Sequence, residues 1–189
     1  MKIRFDEINA MADSLFLDNE EYFKAVPVDI FGLIKRLKIR LAEDDYGNDF
    51  SGAAICDGKT KIIAISSKIT NKREKRLVAA HELGHLFLHD NTRLNVDKTF
   101  VAFFNKQKLS FEEWTKEEEA NIFASTILLP EISVGPYISK LQSEQMEEEK
   151  IIIRVARKFK VPIKIVSLRM MTLGFYRLPS FYNSHFINA

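Results

Sequence analysis

The chain has 189 residues, of which 46% are hydrophobic and 29% charged, with 7 Gly, 5 Pro and one cysteine. That composition is globular and long enough for one buried core, and it excludes collagen-like, low-complexity and disulfide-stapled classes. The formal net charge of +2 conceals two opposed blocks: residues 112–149 hold ten Glu against Lys116 and Lys140, and residues 150–189 hold eight Lys or Arg and no acid.

In chain order, Ile8, Met11, Ala12, Leu15 and Phe16 recur at helical spacing, which predicts an amphipathic helix over 5–24, broken by Pro27. Asp29 is placed to cap a second helix that runs to about Leu37. Ile39-Arg40-Leu41 then alternates as a strand does. Two further apolar stretches, Ser51–Cys56 and Lys61–Ser66, flank Asp57-Gly58-Lys59-Thr60, a strong hairpin signal. A small antiparallel sheet of about three strands is expected. Asn71 is a plausible cap for a long helix over Arg73–His89. Residues 90–110 read as loop, interrupted by Thr99–Phe104 as a strand or flap. Ser110 with Glu113 has the form of a capping box for a helix running to Leu129 and stopping at Pro130. Beyond Gly135-Pro136 come two helical patterns, Ile151–Phe159 and Ile163–Leu173, joined by Lys160-Val161-Pro162. The expected division is an N-terminal helix over 1–26, a core over 27–140 and a basic helical segment over 141–189.

No apolar run reaches the roughly 18 residues of a membrane-spanning helix, and Met1–Glu7 lacks the apolar stretch of a signal peptide. A lone Cys56 adds to the expectation of a reducing, cytoplasmic setting. It also means that any zinc site must be built from His and carboxylates.

His81-Glu82-Leu83-Gly84-His85 supplies that chemistry. Residues four apart share a helical face, so both imidazoles reach one ion. Glu82, rotated about 100° around the axis, falls beside the ion's water as a base and not as a ligand. His89 stands about 12 Å along the axis from His81, too far for the same ion. A third ligand must come from elsewhere, and the acidic helix offers Glu117, Glu118 and Glu119. Glu117 shares its face with Ala120, Asn121 and Ala124, where small residues permit close approach to the Gly84 side of the first helix. Glu117 is therefore the expected ligand and Glu119 the alternative. Asn121, one turn beyond Glu117, is placed to hydrogen-bond a histidine ring. Two buried imidazoles and a buried Glu on an apolar helix would be costly without a metal.

Ala79-Ala80-His81-Glu82-Leu83-Gly84-His85-Leu86-Phe87-Leu88-His89, followed by Glu117-x-x-Ala120-Asn121-x-Phe123-Ala124 and Leu128-Leu129-Pro130, closely resembles the ImmA/IrrE family of metallo-endopeptidases. The resemblance runs over about residues 28–175. It implies an α+β, zincin-like (minigluzincin-type) fold, with the small sheet packed on a helical bundle that carries the His-Glu-x-x-His helix. It implies one zinc per chain, held by His81, His85 and Glu117, with manganese or iron as other candidates, and Glu82 as the catalytic base. It further implies cleavage of a helix-turn-helix repressor, often of the Xre type, which relieves repression of a mobile element or stress regulon. The family's own DNA-reading module is expected to be absent here, so the repressor would be a separate protein. Tyr137, Tyr176, Tyr182 and His185 are the candidates to stabilise the oxyanion. The alternative function is a non-proteolytic zincin-fold module that docks a regulator or a toxin–antitoxin partner. The basic segment, with Arg154, Arg157, Lys158, Lys160 and Lys164, suits DNA, an acidic substrate or the chain's own acidic helix.

Overall fold

The structure is a computed structural model that describes residues 2–57, 60–89, 95–97 and 110–175. The expected N-terminal helix is two helices, α1 (Phe5–Asp18) and α2 (Glu20–Phe23). Asn19 separates them: its backbone leaves helical geometry at φ −141°, and its buried side-chain amide donates to the Leu15 carbonyl at 3.1 Å. Short polar side chains compete with the helix for backbone partners in this way. Helix α3 (Ile30–Arg36) starts where expected, with the Asp29 carboxylate accepting from the Gly32 N–H at 3.0 Å.

Strands β1 (Arg40–Asp44), β2 (Gly52–Cys56), β3 (Lys61–Ser66) and β4 (Asn95–Asp97) form one sheet in the order β1-β3-β2-β4. The hairpin is present: β2 and β3 pair antiparallel with Ala53 opposite Ala64, and Asp57 Oδ1 accepts from the Thr60 N–H at 2.6 Å. Turn residues 58 and 59 lie outside the described residues. The sheet departs from the antiparallel, three-stranded expectation in two respects. Strand β3 enters between β1 and β2, so the first and third strands, which point the same way, become neighbours and pair in parallel. The short β4 adds a fourth strand antiparallel to β2. The expected strand or flap at Thr99–Phe104 lies outside the described residues.

Helix α4 (Lys72–Leu88) begins at Asn71, whose Oδ1 accepts from the Arg73 N–H. Every residue from Leu77 to Leu86 is buried. A helix buried all round is a central one, and α4 packs with β2 and β3 and with α5 (Phe111–Leu128). Helix α5 opens with the expected Ser110–Glu113 capping box and is itself buried from Glu118 to Leu128. It also receives α1 and α8 (Ile163–Thr172). Two helices therefore form the spine of the core.

Helix α6 (Glu131–Ser143) was hidden in the sequence by Gly135-Pro136. Proline in a helix interior removes one hydrogen bond, but Pro136 sits on the exposed side, while Val134, Ile138 and Leu141 form the buried stripe. Helices α7 (Glu148–Phe159) and α8 follow as expected, with Lys160 left-handed at φ 52° and Pro162 at the start of α8. Among the described residues no single helix is long and apolar enough to cross a membrane.

Candidate metal centre

The site is made where α4 meets α5. Gly84 permits the approach: a Cβ there would stand 3.1 Å from Phe123 Cδ1 and 3.2 Å from Ala120 Cα. At that separation one turn of each helix faces the other. His81 and His85 project from α4, and Glu117 projects from the first half of α5. The two Nε2 atoms lie 3.0 Å apart. Glu117 Oε2 lies 3.1 Å from His81 Nε2, and its Oε1 lies 3.3 Å from His85 Nε2. Three donors held about 2.0–2.1 Å from a tetrahedral centre stand about 3.3 Å from one another. The observed triangle, built from two imidazoles and a carboxylate, therefore fits a small divalent ion. Among the described residues these three form the group of His, Cys, Asp and Glu able to hold a metal.

Burial tunes the donors. His81 and His85 are almost fully enclosed, and burial holds the His85 imidazole below its ordinary pKa, in the neutral form a metal needs.

Asn121 stands where expected, with its Oδ1 2.9 Å from His81 Nδ1. An amide oxygen there accepts from the ring, which puts the His81 proton on Nδ1 and leaves the Nε2 lone pair for the triangle. Glu82 is 1% exposed and is directed toward the sheet. A Cβ added at Gly52, the first residue of β2, would meet Glu82 Oε1 at 2.6 Å. The glycine thus makes room for the carboxylate of the expected base.

Glu119, the alternative ligand, is engaged elsewhere. Its Oε1 accepts from the Arg4 backbone N–H and Nε, both at 3.0 Å, and its Oε2 accepts from Arg4 Nη2 at 2.6 Å. His89 Nε2 lies 3.1 Å from the same Oε2, and His89 Nδ1 lies 2.9 Å from His85 Nδ1. The spacing that put His89 out of reach of the ion puts it, one turn on, against the back of His85. Sequence reasoning missed both Arg4 and His89. The four-residue step from His85 was a signal for His89, whereas nothing in the sequence pointed to Arg4. Burial, followed by the neighbouring His85, pushes His89 down to about 4, so its ring is neutral near pH 7.

Of the oxyanion candidates, Tyr137 lies on α6 and packs against Phe159, with Lys158 Nζ 4.0 Å over its ring. It is thus occupied on the α6–α7 side. Tyr176, Tyr182 and His185 lie outside the described residues. Lys150 pairs locally with Glu147 at 2.8 Å, and Lys164 pairs with Glu74 of α4 at 3.6 Å.

Residues 34–171 match the model of a peptidase family described as the IrrE N-terminal-like domain. Among curated proteins, immunity region protein 2 of Bacillus phage phi105 is 38% identical over 107 residues, 57% of this chain and 62% of that protein. Metallopeptidase ImmA of Bacillus subtilis (strain 168) is 32% identical over 126 residues, 63% of this chain and 61% of that protein. The chain spans about three fifths of the length of these relatives. A solved Mycobacterium tuberculosis transcriptional regulator superposes with a TM-score of 0.53 at 17% identity, over 87% of this chain and 46% of that one. That likeness concerns the fold, which is α+β and zincin-like.

Proposed function

Since the chain belongs to the peptidase family of IrrE N-terminal-like domains, we propose that it is a zinc-dependent endopeptidase that hydrolyses a peptide bond in a helix-turn-helix repressor and so relieves repression. The observation that carries this reading is the triangle of His81 Nε2, His85 Nε2 and Glu117 carboxylate on α4 and α5, with Glu82 next in sequence to His81. His81, His85 and Glu117 would hold the ion. When bound, the ion supplies Lewis acidity toward the peptide carbonyl and toward a water. Glu82 accepts the proton of the attacking water and returns it to the departing amine. Its burial removes competing solvent, and the space at Gly52 sets where its carboxylate rests. Asn121 holds His81 in the tautomer that turns Nε2 to the ion. The kinship with an immunity-region protein and with a metallopeptidase named ImmA supports a repressor protein as the substrate.

The experiment has two arms. Protein purified without chelator is expected to carry about one zinc, and Glu117→Ala is expected to lose it. Incubation with a candidate helix-turn-helix repressor should yield two defined fragments, and Glu82→Gln should keep the metal but abolish the fragments. A repressor response that survives Glu82→Gln would instead establish the non-proteolytic docking module.

A further inference from the structure

Beyond the donors themselves, the site has a partly buried chain of contacts with no role in the chemistry above. It runs from Arg4 at the start of α1, through Glu119 on α5 and His89 at the end of α4, to His85. Each link fixes the direction of the next. The Arg4 guanidinium carries only donors. It closes on Glu119 with Nε at 3.0 Å and Nη2 at 2.6 Å, while its backbone N–H adds a third bond at 3.0 Å. Glu119, whose side chain is 0% exposed, is therefore an ionised acceptor. His89 Nε2, 3.1 Å from that carboxylate, must donate to it. A neutral ring with its proton on Nε2 has a lone pair on Nδ1. His85 Nδ1 faces that lone pair at 2.9 Å and must donate in turn. His85 then has its own lone pair on Nε2, the atom that faces His81 and Glu117.

We propose that Arg4, Glu119 and His89 are positioning residues that lock His85 in the Nδ1–H tautomer and so present its Nε2 lone pair to the metal. Asn121 does this for His81 from α5, and the relay does it for His85 from the opposite side. The consequence for this chain is that residues ahead of the family-matched region, which begins at residue 34, complete the metal centre. Arg4 also donates from Nη2 to the Leu88 carbonyl at 3.0 Å, so the same side chain holds the end of α4 on which His89 sits. The inference rests on the proposed metal site, and its test is chosen to fail separately from it.

The test uses the full chain as wild type, His89→Phe, Arg4→Ala and Arg4→Lys, each confirmed folded by its thermal melt. Arg4 is about a third exposed, so its replacement spares the core should His89→Phe not fold. In the metal-free protein, two-bond nitrogen–proton NMR reads the His85 tautomer directly. The wild type should show protonated Nδ1 and bare Nε2, and the variants a mixture. Zn2+ affinity, read by competition with a chelating dye, should fall about 10–100-fold in His89→Phe and less in Arg4→Ala, with part of the loss recovered in Arg4→Lys. A bulk packing role would not move the tautomer. A His85 proton on Nε2 in the wild type overturns the relay, as do wild-type tautomer and Zn2+ affinity in both His89→Phe and Arg4→Ala. Failure of the wild type to take Zn2+ overturns the metal reading, while the NMR measurement still decides the relay.

Discussion

At the scale of single residues, the placement of Glu82 depends on a side chain that is absent. A methyl group at position 52 would lie 2.6 Å from Glu82 Oε1 and 2.7 Å from Val78 Cγ1. The carboxylate is the more mobile neighbour, so Gly52→Ala should displace it and leave the fold standing. A shift of about 1 Å in a catalytic group costs on the order of 100-fold in rate. We expect that loss in cleavage rate for Gly52→Ala with Zn2+ affinity within about twofold of wild type; an equal loss of metal would show that the strand, not the base, had moved. The candidate donors and base were legible because helical spacing alone puts His81 and His85 on one face and turns Glu82 away. The choice of Glu117 over Glu119 followed from the small residues sharing its face. The supporting residues were less legible. His89 touches His85 across one turn, which the sequence could have shown, but Arg4 reaches Glu119 across 115 positions, a separation at which no local pattern carries information.

At the scale of elements, the α4–α5 contact sets the donor distances. Gly84→Ala tests it. Alanine favours helix by about 1 kcal/mol over glycine, but its Cβ would sit 3.2 Å and 3.3 Å from backbone atoms of Ala120, which cannot rotate away. Overpacking of this kind costs about 1–3 kcal/mol. The expected net loss is about 1 kcal/mol in urea unfolding, together with weaker Zn2+ binding as Glu117 moves off the histidines. Unchanged stability and unchanged metal affinity would mean that the helices part without cost. The elements themselves were read well where capping chemistry or a hairpin turn marked them: Asp29, Asn71, Ser110 with Glu113, and Asp57 with Thr60. They were misread where tertiary placement overrode a local rule. Proline is tolerated in α6 because its ring faces solvent, and β3 inserts between strands that the sequence order would make neighbours.

At the scale of the whole molecule, the basic C-terminal block invites a DNA-binding reading that the packing argues against. A helix-turn-helix reads DNA with its second helix lying in the major groove. Here the second helix is α8, and Ile165, Val166, Leu168, Arg169 and Met170 are buried. Arg169 of that helix donates inward, from Nε to the Leu129 carbonyl and from Nη1 to Thr126 Oγ1. Among the described residues, the exposed charges of the block, Lys150, Arg154, Arg157, Lys158 and Lys160, lie on α7 and the turn. Anisotropy titrations should therefore show only weak duplex binding that lacks sequence preference and disappears with added salt. A sequence-specific complex that persists at physiological salt would reverse this conclusion.

The candidate donors of the triangle come from two separate helices, and under the proposed metal binding that division would link the chain's lifetime to the metal supply. An ion that binds only when α4 and α5 are together favours the closed pair over every opened form. At a free concentration a thousand times its dissociation constant, the gain is about 4 kcal/mol. Proteases that cut opened chains would then encounter the loaded protein on the order of a thousandfold less often. Limited proteolysis with and without Zn2+ should show this protection in the wild type and its loss in Glu117→Ala. The cell would in that way dispose first of the copies that cannot act.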